Sequence, residues 1–178
     1  MAVDKFPWDP VRRRLKSILY NWSMIKILLG ERIGKQGSIR LGCAAVLFDA
    51  TRKKVLLTRR ADNGQWCLPS GGVEAGETVA EACERETLEE TGLQVRVKRL
   101  ISISSNPDRL VVYEDGGQFQ IVSLAFEVEA IGGKIRLSDE TVDVGFFLNA
   151  EALNMDILLH HRDFIRDVLT ETDAAFIR

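Results

Sequence analysis

Residues Glu86, Glu89 and Glu90 fall on one edge of the segment Pro69–Leu93. At 100° per residue they share an arc of about 100° on a helix. Helix physics opposes such a cluster. Glu86 and Glu90 are like charges at i and i+4, and Glu89 and Glu90 sit in the last turn before Gly92, where the macrodipole favours cations. A run of acids is often a solvated face, but this one follows a loop containing Gly71, Gly72 and Gly76. Glycine permits backbone geometries that can turn a carbonyl toward the same edge. Carboxylate and carbonyl oxygens are the hard ligands that Mg2+ or Mn2+ prefers.

Gly71, Glu77, Arg85, Glu86, Glu89, Glu90 and Gly92 match the pattern G(x5)E(x7)REU(x)EE(x)GU, with U aliphatic, from Gly71 to Leu93. In this the chain resembles the Nudix hydrolases. Thr87 is the one departure, at a position where the pattern asks for an aliphatic residue. The resemblance implies an α/β/α sandwich around a mixed sheet, in an enzyme that cleaves a diphosphate linkage with divalent metal. It implies that Glu86, Glu89, Glu90 and the Gly71 carbonyl hold Mg2+, with Mn2+ as the alternative. Arg85 would orient the glutamates, lying four residues from both Glu81 and Glu89, and Glu77 would brace the loop and helix start. For the general base, the resemblance leaves Glu86 and Glu140 open. Glu140 lies in the SDET segment ahead of the aromatic pair Phe146 and Phe147.

Arg60, Trp66 and Arg109 are the candidates for binding the rest of a nucleotide substrate. Each has a plainer alternative: Arg59 and Arg60 as solvated strand-end charges, Trp66 as a pin between loop and sheet. His160 and His161, with no acidic partner at ligand spacing, read as surface or packing residues. An NDP-sugar or ADP-ribose type substrate is the favoured reading. Pro107 lies one position from the proline associated with ADP-ribose substrates, and the residues after LLTRR (56–60) lack the coenzyme A signature. Nucleoside triphosphates, RNA 5′ ends and a non-catalytic nucleotide sensor are the alternatives.

The rest of the chain must position these groups. Its 178 residues suit one domain with an appendage. A net charge of −2, from 24 Lys and Arg against 26 Asp and Glu, gives no global attraction to nucleic acid, so no DNA partner is expected and RNA is disfavoured. The basic cluster Arg12–Lys16 is the one local exception. Cys43, Cys67 and Cys83 form an odd set without ligand spacing and read as buried thiols of a cytoplasmic protein. No signal peptide or transmembrane segment is expected, because the apolar run Ser17–Leu29 is short and contains Lys26.

Asp9–Leu29 has the spacing of an amphipathic helix, with Val11, Leu15, Leu19, Trp22 and Leu29 near one face, and suggests a homodimer arm. It belongs to a helical extension over 1–37, ahead of the main domain at 38–178. Strands are predicted at Arg40–Phe48, Lys54–Arg60, Val95–Ile103, Arg109–Glu114, Gln118–Glu129 and Val144–Leu148, and helices at Thr78–Thr91 and Met155–Leu169. The fold class is α/β of the α+β kind, a mixed sheet with helices packed on it.

Overall fold

The computed structural model describes residues 26–113, 115–170 and 172–178. Among these described residues ten strands and three helices follow in order: β1 Lys26–Leu29, β2 Ser38–Leu47, β3 Lys54–Arg60, β4 Trp66–Cys67, β5 Ser70–Gly72, α1 Val79–Thr91, β6 Leu93–Ser104, β7 Arg109–Val112, β8 Gln118–Gly133, β9 Thr141–Leu148, α2 Asn149–Ala152, α3 Leu159–Leu169 and β10 Phe176–Ile177. A 3-10 turn, Ile33–Gln36, joins β1 to β2.

The larger sheet is mixed. Its path runs β1-β7-β8-β2-β5, with β6 also on β8 and β10 on β6. β2 and β8 pair in parallel over Ser38–Leu47, while β2 and β5 pair antiparallel. A smaller sheet has the order β4-β3-β9.

Alternation along β2 explains the layering. Cys43, Ala45 and Leu47 pack with Ala82 and Cys83 of α1, while Ala44 and Val46 pack with Phe164, Ile165 and Val168 of α3. Successive strand residues point to opposite faces, so one strand serves two cores. The expected sandwich is therefore present, with α1 and α3 on opposite sides.

Three expectations need correction. Of the helix expected over Asp9–Leu29, residues 9–25 lie outside the described residues, and Lys26–Leu29 is strand β1, antiparallel to β7. The edge of β7 gives this tetrapeptide backbone partners, so among the described residues the larger sheet includes Lys26–Leu29 as well as the strands from 38 onward. The strand expected over Arg109–Glu114 ends at Val112, because Tyr113 and Gly117 close a turn at 2.9 Å. The helix expected from Met155 starts at Leu159, since Asp156 and Leu158 instead exchange backbone hydrogen bonds with Trp66.

Of the two readings of His160 and His161, packing is the one realised. His161 is 2% exposed and its Nδ1 accepts the Leu68 N–H at 3.0 Å. His160 Nδ1 lies 2.8 Å from Arg109 Nη1, which donates to it. Burial, then Arg109 and Arg60, push the His160 pKa down to about 3, and burial with the neighbouring His160 pushes His161 well below its usual range. Both rings stay neutral in the folded chain. Their stabilising contribution is complete above the unfolded pKa near 6.5 and is lost as pH falls from there toward the folded values, by about 1.4 kcal/mol per pH unit for each ring. In an NMR titration, the Cε1–H resonances of both histidines should stay flat from pH 8 to pH 5; a midpoint near 6.5 for either would contradict this placement.

Candidate metal and hydrolysis site

The acidic edge of α1 faces β5, and local sequence fixes how the two meet. Thr78 caps α1 by accepting the Glu81 N–H at 3.2 Å, while Glu81 Oε2 accepts the Thr78 N–H at 2.7 Å. This reciprocal capping box sets the helix start. At the other end Gly92 takes φ 74°, and a Cβ there would meet the Lys134 carbonyl oxygen at 2.5 Å. Glycine is required at that stop.

Thr87 fills its exceptional position by turning its hydroxyl back to the Cys83 carbonyl at 2.7 Å. It is 0% exposed, so the departure from an aliphatic residue leaves no polar atom unsatisfied.

Arg85 is the hub. It donates to Glu77 at 2.7 and 3.0 Å, to Glu86 at 2.8 Å, to Glu89 at 3.2 Å and to the Gly72 carbonyl at 3.0 Å. Of the two partners four residues away, it binds Glu89, since Glu81 is used by the capping box. Glu77 also accepts the Glu74 N–H at 2.7 Å, and Arg85 pulls its pKa down to about 2.

β5 presents alternate backbone groups to this edge. Ser70 N–H is given to Glu90 at 3.3 Å, and the Gly72 carbonyl to Arg85. Both lie on the side of β5 away from β2. The N–H and C=O of one strand residue point the same way and neighbours point oppositely, so the Ser70 carbonyl also faces α1. The Gly71 carbonyl faces β2, where Cys43 Sγ donates to it at 3.7 Å. Gly71 matters instead for what it lacks, because a Cβ there would lie 2.0 Å from Glu86 Cδ. Its bare backbone is the floor on which Glu86 rests.

Glu90 is 7% exposed and accepts from the Thr58 hydroxyl at 3.4 Å. Burial, then the charge of Glu86, push its pKa up to about 8. Burial also raises Glu86 and Glu140, with Glu89 contributing to both. Glu140 reaches the site because its carbonyl accepts the Ala61 N–H at 3.0 Å while the Thr141 hydroxyl donates to the Glu90 carbonyl at 3.3 Å. A cleft of about 20 Å³ lies there, lined by Thr58, Arg60, Glu90 and Glu140 among others.

The donors are hard oxygens carrying mutual repulsion, which suits a divalent cation. Among the described residues no three of them already meet around one ion position. Arg85 engages oxygens of Glu86 and Glu89, from which a cation would have to draw them.

The other candidates divide. Arg60 borders the cleft, its fork paired with Asp62 at 2.8 and 2.6 Å. Trp66 packs edge-on against Phe147, ring centroids 4.6 Å apart, in the α3-side core. Arg109 lies on β7, beside His160. Cys43, Cys67 and Cys83 are buried free thiols, and burial with the nearby Glu90 raises Cys67 to about 12. Sequence reading missed Ser70, whose alternation signal exists only once β5 is known to be a strand.

The contact between Gly71 and Glu86 can be isolated. Gly71→Ala should cost about 1–3 kcal/mol in chemical denaturation, as overpacking does. In a Glu86→Ala background that cost should shrink by more than about 1 kcal/mol; equal costs in both backgrounds would refute the contact.

A family model described as the NUDIX domain matches residues 39–168. An ADP-ribose pyrophosphatase from Methanocaldococcus jannaschii is 40% identical over 97 residues, which are 53% of this chain and 54% of that protein. A MutT-like protein from Streptomyces ambofaciens is 38% identical over 93 residues, again 54% of its length, so the chain spans about half of these two curated relatives. Nucleoside triphosphatase NudI from Salmonella arizonae is 34% identical over 119 residues, 62% of this chain and 84% of its own. Among solved structures, a UDP-X diphosphatase superposes with a TM-score of 0.61 at 18% identity, covering 96% of this chain and 76% of that one. An ADP-ribose pyrophosphatase from Streptococcus suis gives 0.60 at 21%, covering 79% and 100%. At such identities these two structures speak to the fold alone, and the fold is the same. With the box intact from Gly71 to Leu93 and the domain match spanning most of its length, the chain belongs to the Nudix family.

Proposed function

We propose that the chain is a pyrophosphohydrolase that cleaves the diphosphate of a nucleoside diphosphate joined to a second moiety, of NDP-sugar or ADP-ribose type, with Mg2+ or Mn2+. The observation that carries this reading is the set of carboxylates gathered at the outer edge of β5 with Arg85 as the cation bound to two of them. The name of the Methanocaldococcus relative supports the substrate class. A nucleoside triphosphate is the second reading, favoured by the NudI relative, which is matched over more of its length.

Glu86, Glu89 and Glu90 would hold the cation, and the Ser70 carbonyl replaces that of Gly71 as the backbone ligand, because it faces them. A bound divalent cation supplies charge neutralisation on the diphosphate and a lowered pKa for water. The protein's own groups do the rest. Arg85 fixes Glu86 and Glu89 against rotation, and Arg60 at the cleft offers donors to phosphate oxygen. Glu86 or Glu140 takes the proton of the attacking water; both sit where burial lifts a carboxylate toward the range useful for a base. The P–O bond to the bridging oxygen breaks, and two phosphate-bearing products leave.

We further propose a cytoplasmic location, supported by the three buried free thiols, and a homodimer through the N-terminal segment. Among the described residues no helix is long and apolar enough to cross a membrane.

Three measurements test these statements. Incubated with Mg2+ or Mn2+ and a panel of NDP-sugars, ADP-ribose, dinucleotides, nucleoside triphosphates and RNA ends, the protein should release a nucleoside monophosphate and a phosphorylated partner, and EDTA should stop it. Absence of metal-dependent product across the panel rejects the hydrolase. Of Glu86→Gln and Glu140→Gln, the variant lacking the base should lose roughly 10²- to 10⁴-fold in kcat; two mild losses would exclude both. Light scattering on the full chain and on one lacking residues 1–25, a cut that spares β1, should show a dimer becoming a monomer, and an unchanged mass would rule the arm out.

A further inference from the structure

On the α3 face of the larger sheet, a cavity of about 40 Å³ is lined by Ser104, Asn106, Arg109, Ile121, Ser123 and His160. That is room for about three water molecules. Arg109 is the cation on its lining. Arg60 and Arg85 are bound by carboxylates, whereas Arg109 is in no ion pair among the described residues. One nitrogen of its fork goes to the neutral His160 ring, and its Nε is buried with no partner. Desolvation alone shifts it, lowering its pKa, with no acid to offset the burial. A half-buried guanidinium with an orphaned donor, two serine hydroxyls and an amide around it is a set of donors awaiting acceptors.

The cavity is connected to the acidic edge by the sheet surface. Gly42 pairs with Gly72 on one side and Ser123 on the other, so this row of the floor from β5 through β2 to β8 has small residues, with the Arg40 guanidinium lying against Gly72 and Ile121 against Gly42. From β5 to β7 is three strand spacings, roughly 14 Å. An elongated ligand whose diphosphate lies at β5 can extend along this floor to Arg109.

We propose that this cavity is a second anion subsite, in which Arg109, held by His160, receives a phosphate or carboxylate group borne on the end of the substrate remote from the scissile diphosphate. The assignment rests on the hydrolase reading and narrows its substrate class to molecules with a second anionic group. A neutral nucleobase also has acceptors for an arginine fork, but it would leave the buried charge uncompensated. His160 keeps Nδ1 as an acceptor because its ring is neutral, and so fixes the fork without competing for the anion.

The test uses the full chain with EDTA present and 15N-labelled amides. Titrated with inorganic phosphate and, in a second arm, acetate, the amides of Ser104, Asn106, Arg109 and Ser123 should shift, and the arm with the tighter response identifies the oxyanion. Arg109→Met should weaken that response at least tenfold, and Arg109→Lys should fall between, keeping charge but losing the fork. Arg40→Gln, on the same face but stacked over Tyr113 and Phe119, should leave it unchanged. No shift with either anion, equal affinity in Arg109→Met and Arg109→Lys, or shifts with guanosine alone would overturn the proposal. Should Arg109→Met lose its dispersed spectrum, the Lys variant decides. Glu86→Gln should bind phosphate as the parent does, which separates the two readings: turnover without anion binding removes the subsite, and anion binding without turnover removes the hydrolase.

Discussion

The guanidinium of Arg85 is the interaction on which this site depends. Its five donors reach Glu77 in the loop, Glu86 and Glu89 on its own helix, and the Gly72 carbonyl on β5. Loop, helix and strand are thereby fixed to one planar group. A lysine could not do this, because a single ammonium cannot present parallel donors to two carboxylates and a carbonyl at once. The like charges that make α1 a poor helix in isolation are tolerated because this fork answers two of them. The capping box and the Gly92 stop then secure the ends.

Glu90 is handled differently. Among the described residues it has no cation bound to it and is instead surrounded by weak, long donors, Thr58 and the Ser70 amide. A carboxylate placed so is held near neutrality by its surroundings, which is costly in a core and useful where positive charge is to arrive. The contrast with Glu127, equally buried but flanked by Arg52 and Arg99, is instructive: there the arginines hold the carboxyl below its usual range. Among the described residues one buried acid is answered by arginines and the other by neutral donors alone.

The residues of α1 and the limits of β3 were legible in the sequence because they are local. β3 runs over Lys54–Arg60 as predicted, between a turn at Asp49–Arg52 and the irregularity after Arg59. The glutamates of the acidic edge were legible for the same reason, since a helix of fixed period decides which of them share that edge. What was illegible is nonlocal. β4 and β5 have two and three residues, too few for a period, and exist only because β3 and β2 offer them partners. The Ser70 carbonyl was hidden with them. The burial of His160 and His161 likewise depends on the chain at Trp66 and Leu68 arriving from far away in sequence, and a pair of histidines on an amphipathic helix carries no sign of that.

β5 lies at the edge of its sheet, and an edge strand's open amides and carbonyls ordinarily invite a strand from another molecule. Here the Ser70 amide and the Gly72 carbonyl are already taken by side chains of α1. The acids and the arginine that assemble the site thus also close the sheet against self-association. Losing Arg85 or Glu90 would therefore uncover backbone groups of this edge as well as disperse the acidic cluster.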